Sequence, residues 1–454
     1  YIKNTYFSLV MRMILIYNCK QFSLRFRSNK IFKGVLIVMN IKKSVLTLAV
    51  LSTLSVSAMA NTPTNEEIYQ MMKEMKEEMA ELKRENESLK GEVEDVAGSV
   101  DDVANATDEA IKAQVKLSNK TTIGGYGELH YNAHRDDDNS ENHKSQIDFH
   151  RFVLFVNHEF NDKMRFVSEL ELEHSLSGEG QPGEVELEQA YIQYDLTQKT
   201  NVVGGLFLIP VGIMNETHEP PTFYGVERND VEKNIIPTTW WEGGAMVQHE
   251  IMDGLSTKLA ITSGLKSTGS SNYAVRKARQ KVAEADASTL AYTGNLKYTA
   301  LPGLELAGTI NYQDNFCQDE IDNCGAATLY EAHAVYNRAN FGLRALYAWW
   351  DIDGSAVKAV SADQQYGYYV EPSYRFNNAL TMNQDIGVFA RYALWNNQDG
   401  SGGGSENEYS QYNAGVNWWI DKDVVVKMDY QIQDNGSAVS KTLDGLNLGI
   451  GYQF

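Results

Sequence analysis

Long apolar runs are almost missing from these 454 residues, although 43% of them are hydrophobic. A bundle of membrane helices needs stretches of about 20 apolar residues each, so that class is excluded. A membrane barrel is not, because its strands alternate lipid-facing and lumen-facing side chains and never build a continuous run. Proline is scarce, at 8 residues against 35 glycines, 25 tyrosines and 7 tryptophans. That balance suits strands with aromatic girdles. Positive charge is also short, with 40 basic residues against 60 acidic ones. Residues 1–60 hold nine Lys and Arg and no Asp or Glu; removing them leaves 31 basic against 60 acidic residues, a net charge of −29. Such acidity argues against nucleic acid as a partner and keeps an exported chain soluble in transit.

Cysteine is limited to Cys19, Cys317 and Cys324. The last two flank a polar loop, and in an oxidising compartment a loop-closing disulfide between them is expected. A metal site there would need further soft ligands nearby, and none is visible. No cofactor site can be read from the sequence.

One apolar run does matter. Met39-Asn40-Ile41-Lys42-Lys43 is a basic opening, Ser44 to Ser55 is apolar, and Ala58-Met59-Ala60 is a small-x-small cleavage site. Residues 39–60 therefore read as a secretory signal peptide, too short and wrongly flanked for a spanning helix. Residues 1–38 begin with Tyr1 and carry no acid. They read as an over-extended gene start, the other reading being a long leader.

Residues 61–115 read as a periplasmic coiled coil. Seam positions fall at Ile68, Met72, Met75, Met79, Leu82, Asn86, Leu89, Val93, Val96, Val100 and Val103, with spacings that alternate four and three. Five such heptads predict a helix of roughly 60 Å. The heptad phase accounts for Met72, Met75 and Met79 as helix core rather than a metal-binding methionine set. Asn86 at a seam position is a register device that wants an Asn from a partner chain, so a homo-oligomer is expected.

Near Thr122 the period switches from 3.5 to 2. In the last segment Leu446, Leu448, Ile450, Tyr452 and Phe454 face one way, and Asn447, Gly449, Gly451 and Gln453 the other. An apolar exterior opposite a small polar interior is the barrel alternation. The expected fold is all-β, a transmembrane antiparallel barrel of about 16 strands over residues 122–454. The segments lie near 122–135, 145–160, 163–175, 183–196, 200–213, 241–251, 255–265, 287–301, 303–315, 327–339, 341–352, 364–377, 382–397, 407–420, 424–434 and 443–454. Short turns at 161–163, 301–303 and 421–423 should face the periplasm, and longer loops, including 266–286 and Gly400–Gly404, the outside. The partners of such a barrel are outer-membrane lipid and lipopolysaccharide. Its terminal aromatic strand resembles the signal read by the barrel-assembly machinery.

The longest irregular stretch, Asn215 to Thr239, holds Glu219, Tyr224, Glu227 and Arg228. A long loop this early in a barrel is a candidate to fold inward and narrow the lumen, the alternative being an ordinary external loop. Alternation turns Arg165, Glu169, Glu171 and Glu173 inward, and likewise Lys258, Glu305, Arg344, Glu371, Arg375, Arg391, Lys427 and Asp429. Such a mixed lining favours small polar solutes.

The barrel resembles the phosphate-selective porin O/P family. The matching residues are Phe149-His150-Arg151-Phe152, Glu188-Gln189-Ala190-Tyr191-Ile192-Gln193-Tyr194, Gly205-Leu206-Phe207-Leu208-Ile209-Pro210-Val211-Gly212 and Glu227-Arg228. The resemblance implies a trimeric, sixteen-stranded outer-membrane pore with a constricting loop, a passive channel for small hydrophilic solutes or ions. Phosphate selectivity needs a dense ladder of Arg and Lys donors, and none is found. Two other classes stay open. One is a structural tether joining the barrel to the cell wall through the coiled coil. The other is a barrel hydrolase, for which His150, His158 and His174 lack an accompanying Ser or Asp motif.

Overall fold

The computed structural model of the protein describes residues 64–118, 120–135, 143–319, 323–380, 384–401, 407–436 and 443–454. The signal-peptide and gene-start readings fall outside them, as does most of Gly400–Gly404. The chain divides into two units, residues 1–108 and 109–454.

A long helix, α1 (Asn65–Ser118), starts within the first unit at a capping box. The Glu67 amide donates to Thr64 Oγ1 at 3.4 Å, and the Thr64 amide donates to Glu67 Oε2 at 2.9 Å. These reciprocal bonds satisfy donors that the first turn leaves open. Met72, Met75, Met79, Leu82 and Leu89 are all exposed on this single chain, as is Asn86.

The second unit is a barrel. Its strands are β1 (Thr121–Arg135), β2 (Lys144–Asn161), β3 (Met164–Glu173), β4 (Val185–Asp195), β5 (Thr200–Leu208), β6 (Trp241–Met252), β7 (Leu255–Ser263) and β8 (Leu290–Tyr298). They continue as β9 (Leu304–Gln313), β10 (Ala327–Arg338), β11 (Phe341–Ile352), β12 (Gln364–Leu380), β13 (Gln384–Asn396), β14 (Glu408–Asp421), β15 (Val424–Asn435) and β16 (Asp444–Gln453). Among the described residues each strand pairs antiparallel with its sequence neighbours, and β1 pairs with β16 to close the ring. Closure leaves no unpaired edge, which is what hydrocarbon requires of a sheet.

Period-2 chemistry decides which way each strand faces. On β15 Lys427, Asp429, Gln431 and Gln433 are buried inside, while Met428, Tyr430 and Ile432 are exposed outside. On β16 Asn447 is buried and Leu448 and Ile450 are exposed. The outward faces thus form an apolar band for lipid. No helix among the described residues is long and apolar enough to cross a membrane.

One expected boundary is corrected. The fifth strand ends at Leu208, not near residue 213. Pro210 has no amide to give to a ladder, and Gly212 takes a positive φ of 71°. A side chain at Gly212 would also meet Glu232 Oε2 at 2.7 Å. The chain therefore leaves the wall at Ile209 and re-enters it at Trp241. Between them it carries a short helix, α2 (Asp230–Asn234), capped by the Asn229 side chain.

The loop between β7 and β8 also packs inward, with Val275 and Ala278 fully buried. Arg276 Nη1 donates to the carbonyls of Lys233 (3.0 Å) and Thr238 (2.7 Å), so this loop is clasped onto the first. Together with Val231, Ile235 and Trp240 they form an apolar core in the lumen against Leu346, Trp350 and Tyr369 on the wall.

Candidate functional site

Two β-bulges shape the first part of the lumen wall. Glu128 pairs with Arg151 and Leu129 with Phe149, leaving His150 as an extra residue on β2. Glu169 pairs with Gln189 and Leu170 with Leu187, leaving Glu188 extra on β4. A bulge breaks strict alternation and re-aims a side chain. Consecutive polar residues, His150 with Arg151 and Glu188 with Gln189, thereby serve the same inner face. Strict alternation would have put one of each pair into lipid.

The inner face so formed carries a buried charge cluster. Glu128, Glu169, Glu171 and Glu188 are each no more than 2% exposed. Arg151 Nε lies 2.8 Å from Glu128 Oε1 and 3.7 Å from Glu171 Oε1. His218 of the inward loop lies 3.3 Å from Glu169 and 3.7 Å from Glu188 through Nε2. Gln189 Nε2 donates to Glu169 at 2.7 Å, and Thr239 Oγ1 to Glu188 at 2.5 Å. Glu169 and Glu188 bind the loop to the wall, Glu128 and Glu171 pair with Arg151 on the wall itself, and all four are withdrawn from water.

Across the lumen, residues 219–235 dock on β11 to β16. Arg344 Nη2 donates to the Thr222 carbonyl at 2.7 Å, and Trp419 Nε1 to that of Pro221 at 3.2 Å. Lys427 Nζ sits 3.4 Å from the centre of the Phe223 ring. Arg391 Nη2 donates to the Tyr224 carbonyl at 2.7 Å and its guanidinium grips Glu371 at 2.6 Å. Gly225, with φ 83°, keeps that approach open, since a Cβ there would lie 3.3 Å from Phe389. The Val226 amide donates to Asp429 Oδ2 at 2.7 Å. Glu227 Oε1 accepts from Asn132 at 2.9 Å and lies 3.0 Å from His130 Nδ1. At Glu227 burial opposes the charge, but the hydrogen bond and charge of His130 outweigh it and hold the carboxyl well below its usual range.

Among the described residues two cavities border the docked loop and another lies away from it. The outer one, of about 480 Å³, is lined by Lys144, Arg228, Lys233 and Arg391 together with Asp148, Glu227 and Asp230. At the end bearing the short turns, a cavity of about 760 Å³ is lined by Lys163, Arg165, Lys199 and Lys258 with Asp162, Asp195 and Glu250. Another of about 380 Å³ is lined by Arg344, Arg375 and Tyr224 and by no acid. Basic side chains outnumber acidic ones in the last two.

The residues singled out by alternation fall into two groups. Glu169, Glu171, Glu371, Arg391, Lys427 and Asp429 are buried under the loop. Arg165, Arg344 and Arg375 line open cavities. Arg165 pairs with Asp195, and Arg375 pairs with Asp385 at 2.9 Å while lying 4.0 Å over the Trp419 ring. Glu173 stands apart, beside Glu184 and Glu186. Of the loop residues, Tyr224, Glu227 and Arg228 face cavities, whereas Glu219 makes its contact through its carbonyl, to the Thr222 amide at 2.9 Å. Cys317 and Cys324 are joined by a disulfide. Alternation missed Glu128, Arg151, Glu188, His218 and Glu232. For His150–Arg151 and Glu188–Gln189 a usable signal existed: two adjacent polar residues flanked by aromatics or apolars in an otherwise period-2 strand.

The sequence model of the family described as phosphate-selective porin O and P matches residues 123–454. An uncharacterised protein of Aquifex aeolicus (strain VF5) is 31% identical over 335 residues, covering 69% of this chain and 76% of that protein. Among solved structures, the fold is similar to the outer membrane channel DcaP of Acinetobacter baumannii, at 12% identity and a TM-score of 0.51, covering 74% of this chain and 97% of that one. It is similar also to OmpF of Salmonella typhi, at 17% identity and a TM-score of 0.51, with coverage of 74% and 97%. An anion-selective porin from Comamonas acidovorans gives 12% identity and a TM-score of 0.50, with coverage of 74% and 99%.

Proposed function

Since the chain belongs to the phosphate-selective porin O and P family, we propose that its lumen passes small hydrophilic solutes with a preference for anions, past a constriction formed by residues 209–240. Family and fold make it an outer-membrane porin, a passive diffusion channel. What is proposed is the solute preference, the role of the loop and the assembly.

One observation carries the preference. In the cavity lined by Arg165 and in the one lined by Arg344 basic side chains outnumber acidic ones, while much of the lumen's acid is buried against loop or wall. Fixed positive charge around a narrow path raises the local anion concentration. The cations are spread over both ends rather than packed into one ladder, which suits small anions generally more than phosphate alone. Protein in a planar bilayer across a tenfold KCl gradient should give stable current steps and a reversal potential of anion sign. A silent barrel, or a potential of cation sign, would overturn this reading.

The assembly is a homo-oligomer, a trimer, zipped through Met72, Met75, Met79, Leu82, Asn86 and Leu89 of a periplasmic helix. The support is that these seam side chains stand exposed on one chain, where a second copy would bury them. Native mass spectrometry in detergent should give three chains. The outward apolar band meets lipid and lipopolysaccharide, and the strand ending at Phe454 engages the barrel-assembly machinery.

A further inference from the structure

We propose that the outer vestibule holds a divalent transition-metal site, built from Asp148, His150 and His174. All three line the cavity above the loop. Asp148 Oδ2 lies 3.0 Å from His150 Nδ1 and 2.7 Å from His174 Nδ1, and the three ligand atoms lie within 4.8 Å of one another. An ion about 2.1 Å from each of three tetrahedral donors sets them roughly 3.4 Å apart. The side chains need only small shifts to reach that spacing, with the ion replacing the protons that the two rings now share with the carboxylate.

The placement is built from two segments, strand β2 and the turn after β3. His150 is the extra residue of the β2 bulge, so its ring points inward beside Arg151. Asp148 stands two residues away on the same inner face, paired with His130. His174 follows the end of β3 in a left-handed backbone, with φ 51°, and Ser175 after it has φ 58°. Residues without glycine's freedom adopt that region at a cost and are held there by their surroundings. The His130 ring stacks on His150, with centroids 4.7 Å apart and planes 15° apart, which fixes the orientation of the second ligand. His130 is itself engaged through both nitrogens, by Glu128 at 3.2 Å and Glu227 at 3.0 Å.

Two imidazoles and one carboxylate select zinc, copper or nickel over magnesium or calcium, which prefer all-oxygen shells. The vestibule supplies water for the remaining coordination position. Nearby Lys144 and Arg228 oppose the ion's charge, and Glu227 favours it. An occupied site adds positive charge at the outer mouth.

The test uses the full chain in detergent, without a polyhistidine tag, titrated with zinc chloride and with magnesium chloride in a calorimeter. A single zinc ion per chain should bind and magnesium should not. H174Q and D148N should each weaken zinc at least about tenfold, scored on samples that keep their strand signal and heat-modifiable migration. H249A, a histidine at the opposite mouth, should leave binding unchanged. Absence of zinc binding to the parent, or binding that H174Q and D148N both retain, overturns the site. Because the readout is binding, its failure is separate from any failure of the channel reading.

Discussion

Single carboxylates decide whether the inward loop stays put. Glu232 is fully buried, yet every polar need is met. Its Oε2 accepts from the amides of Ile213 (2.9 Å) and Met214 (2.6 Å), and its Oε1 from the Tyr369 hydroxyl (2.6 Å). It thus ties the start of the loop to α2 and to the wall on β12. Glu227 does the same at the far side, and it carries a pH signature. Its carboxyl pKa is depressed by docking against His130, despite the opposing effect of burial. A group of that kind contributes stability above its undocked pKa, near 4.3, and loses it as pH falls through the depressed value. Single-channel current is therefore expected to stay quiet from neutrality down to about pH 5, and to become noisy only in stronger acid. E227Q, which cannot be charged, should bring that noise to pH 7. Identical noise in parent and variant across the whole range would show that this contact does not hold the loop.

Strands were legible where packing follows period 2 and illegible where it does not. On β15 and β16 the polar side has only the lumen to face and the apolar side only lipid, so alternation fixes both register and direction. The bulges at His150 and Glu188 each add one residue, and their mark in the sequence is a break in the alternation, the adjacent polar pairs His150–Arg151 and Glu188–Gln189. The loops are harder still. Val275 and Ala278 are buried by residues far away in sequence, and the clasp of Arg276 onto Lys233 and Thr238 is purely three-dimensional. The sequence did mark residues 215–239 as a long, early, irregular stretch, and that length was its signal. For the strands themselves, the outward face makes a sharp demand. Leu448 is exposed at the middle of β16, flanked by Tyr131 and Met428. L448R should destabilise the barrel by about 2–4 kcal/mol if that position lies near the bilayer midplane. The shift would be read as a lower urea midpoint in heat-modifiability gels, and an unchanged midpoint would place Leu448 away from the hydrocarbon.

For the whole molecule, net charge and pore charge point in opposite directions. The chain is strongly acidic, yet the cavities lined by Arg165 and by Arg344 carry more base than acid. The two are reconciled by where the acids sit. Glu169 and Glu188 lie between wall and loop, Glu128 and Glu171 are paired with Arg151, Glu371 is held by Arg391, and Asp429 by the Val226 amide. Buried and paired charges contribute little to the potential along a water-filled path, whereas exposed ones act within a Debye length of about 10 Å. Selectivity should therefore follow the exposed cations and not the overall count. The cavity beside Tyr224 gives the cleanest case, because Arg344 and Arg375 are its charges and no acid lines it. Neutralising both, as R344Q/R375Q, should lower the anion-to-cation permeability ratio on the order of twofold, read as a reversal potential nearer zero in a KCl gradient. Asp385, which pairs with Arg375 at 2.9 Å, would then be unpaired and push the potential the same way. A ratio unmoved by the double variant would mean that ions bypass this cavity, and that the charges setting selectivity are those of the outer vestibule.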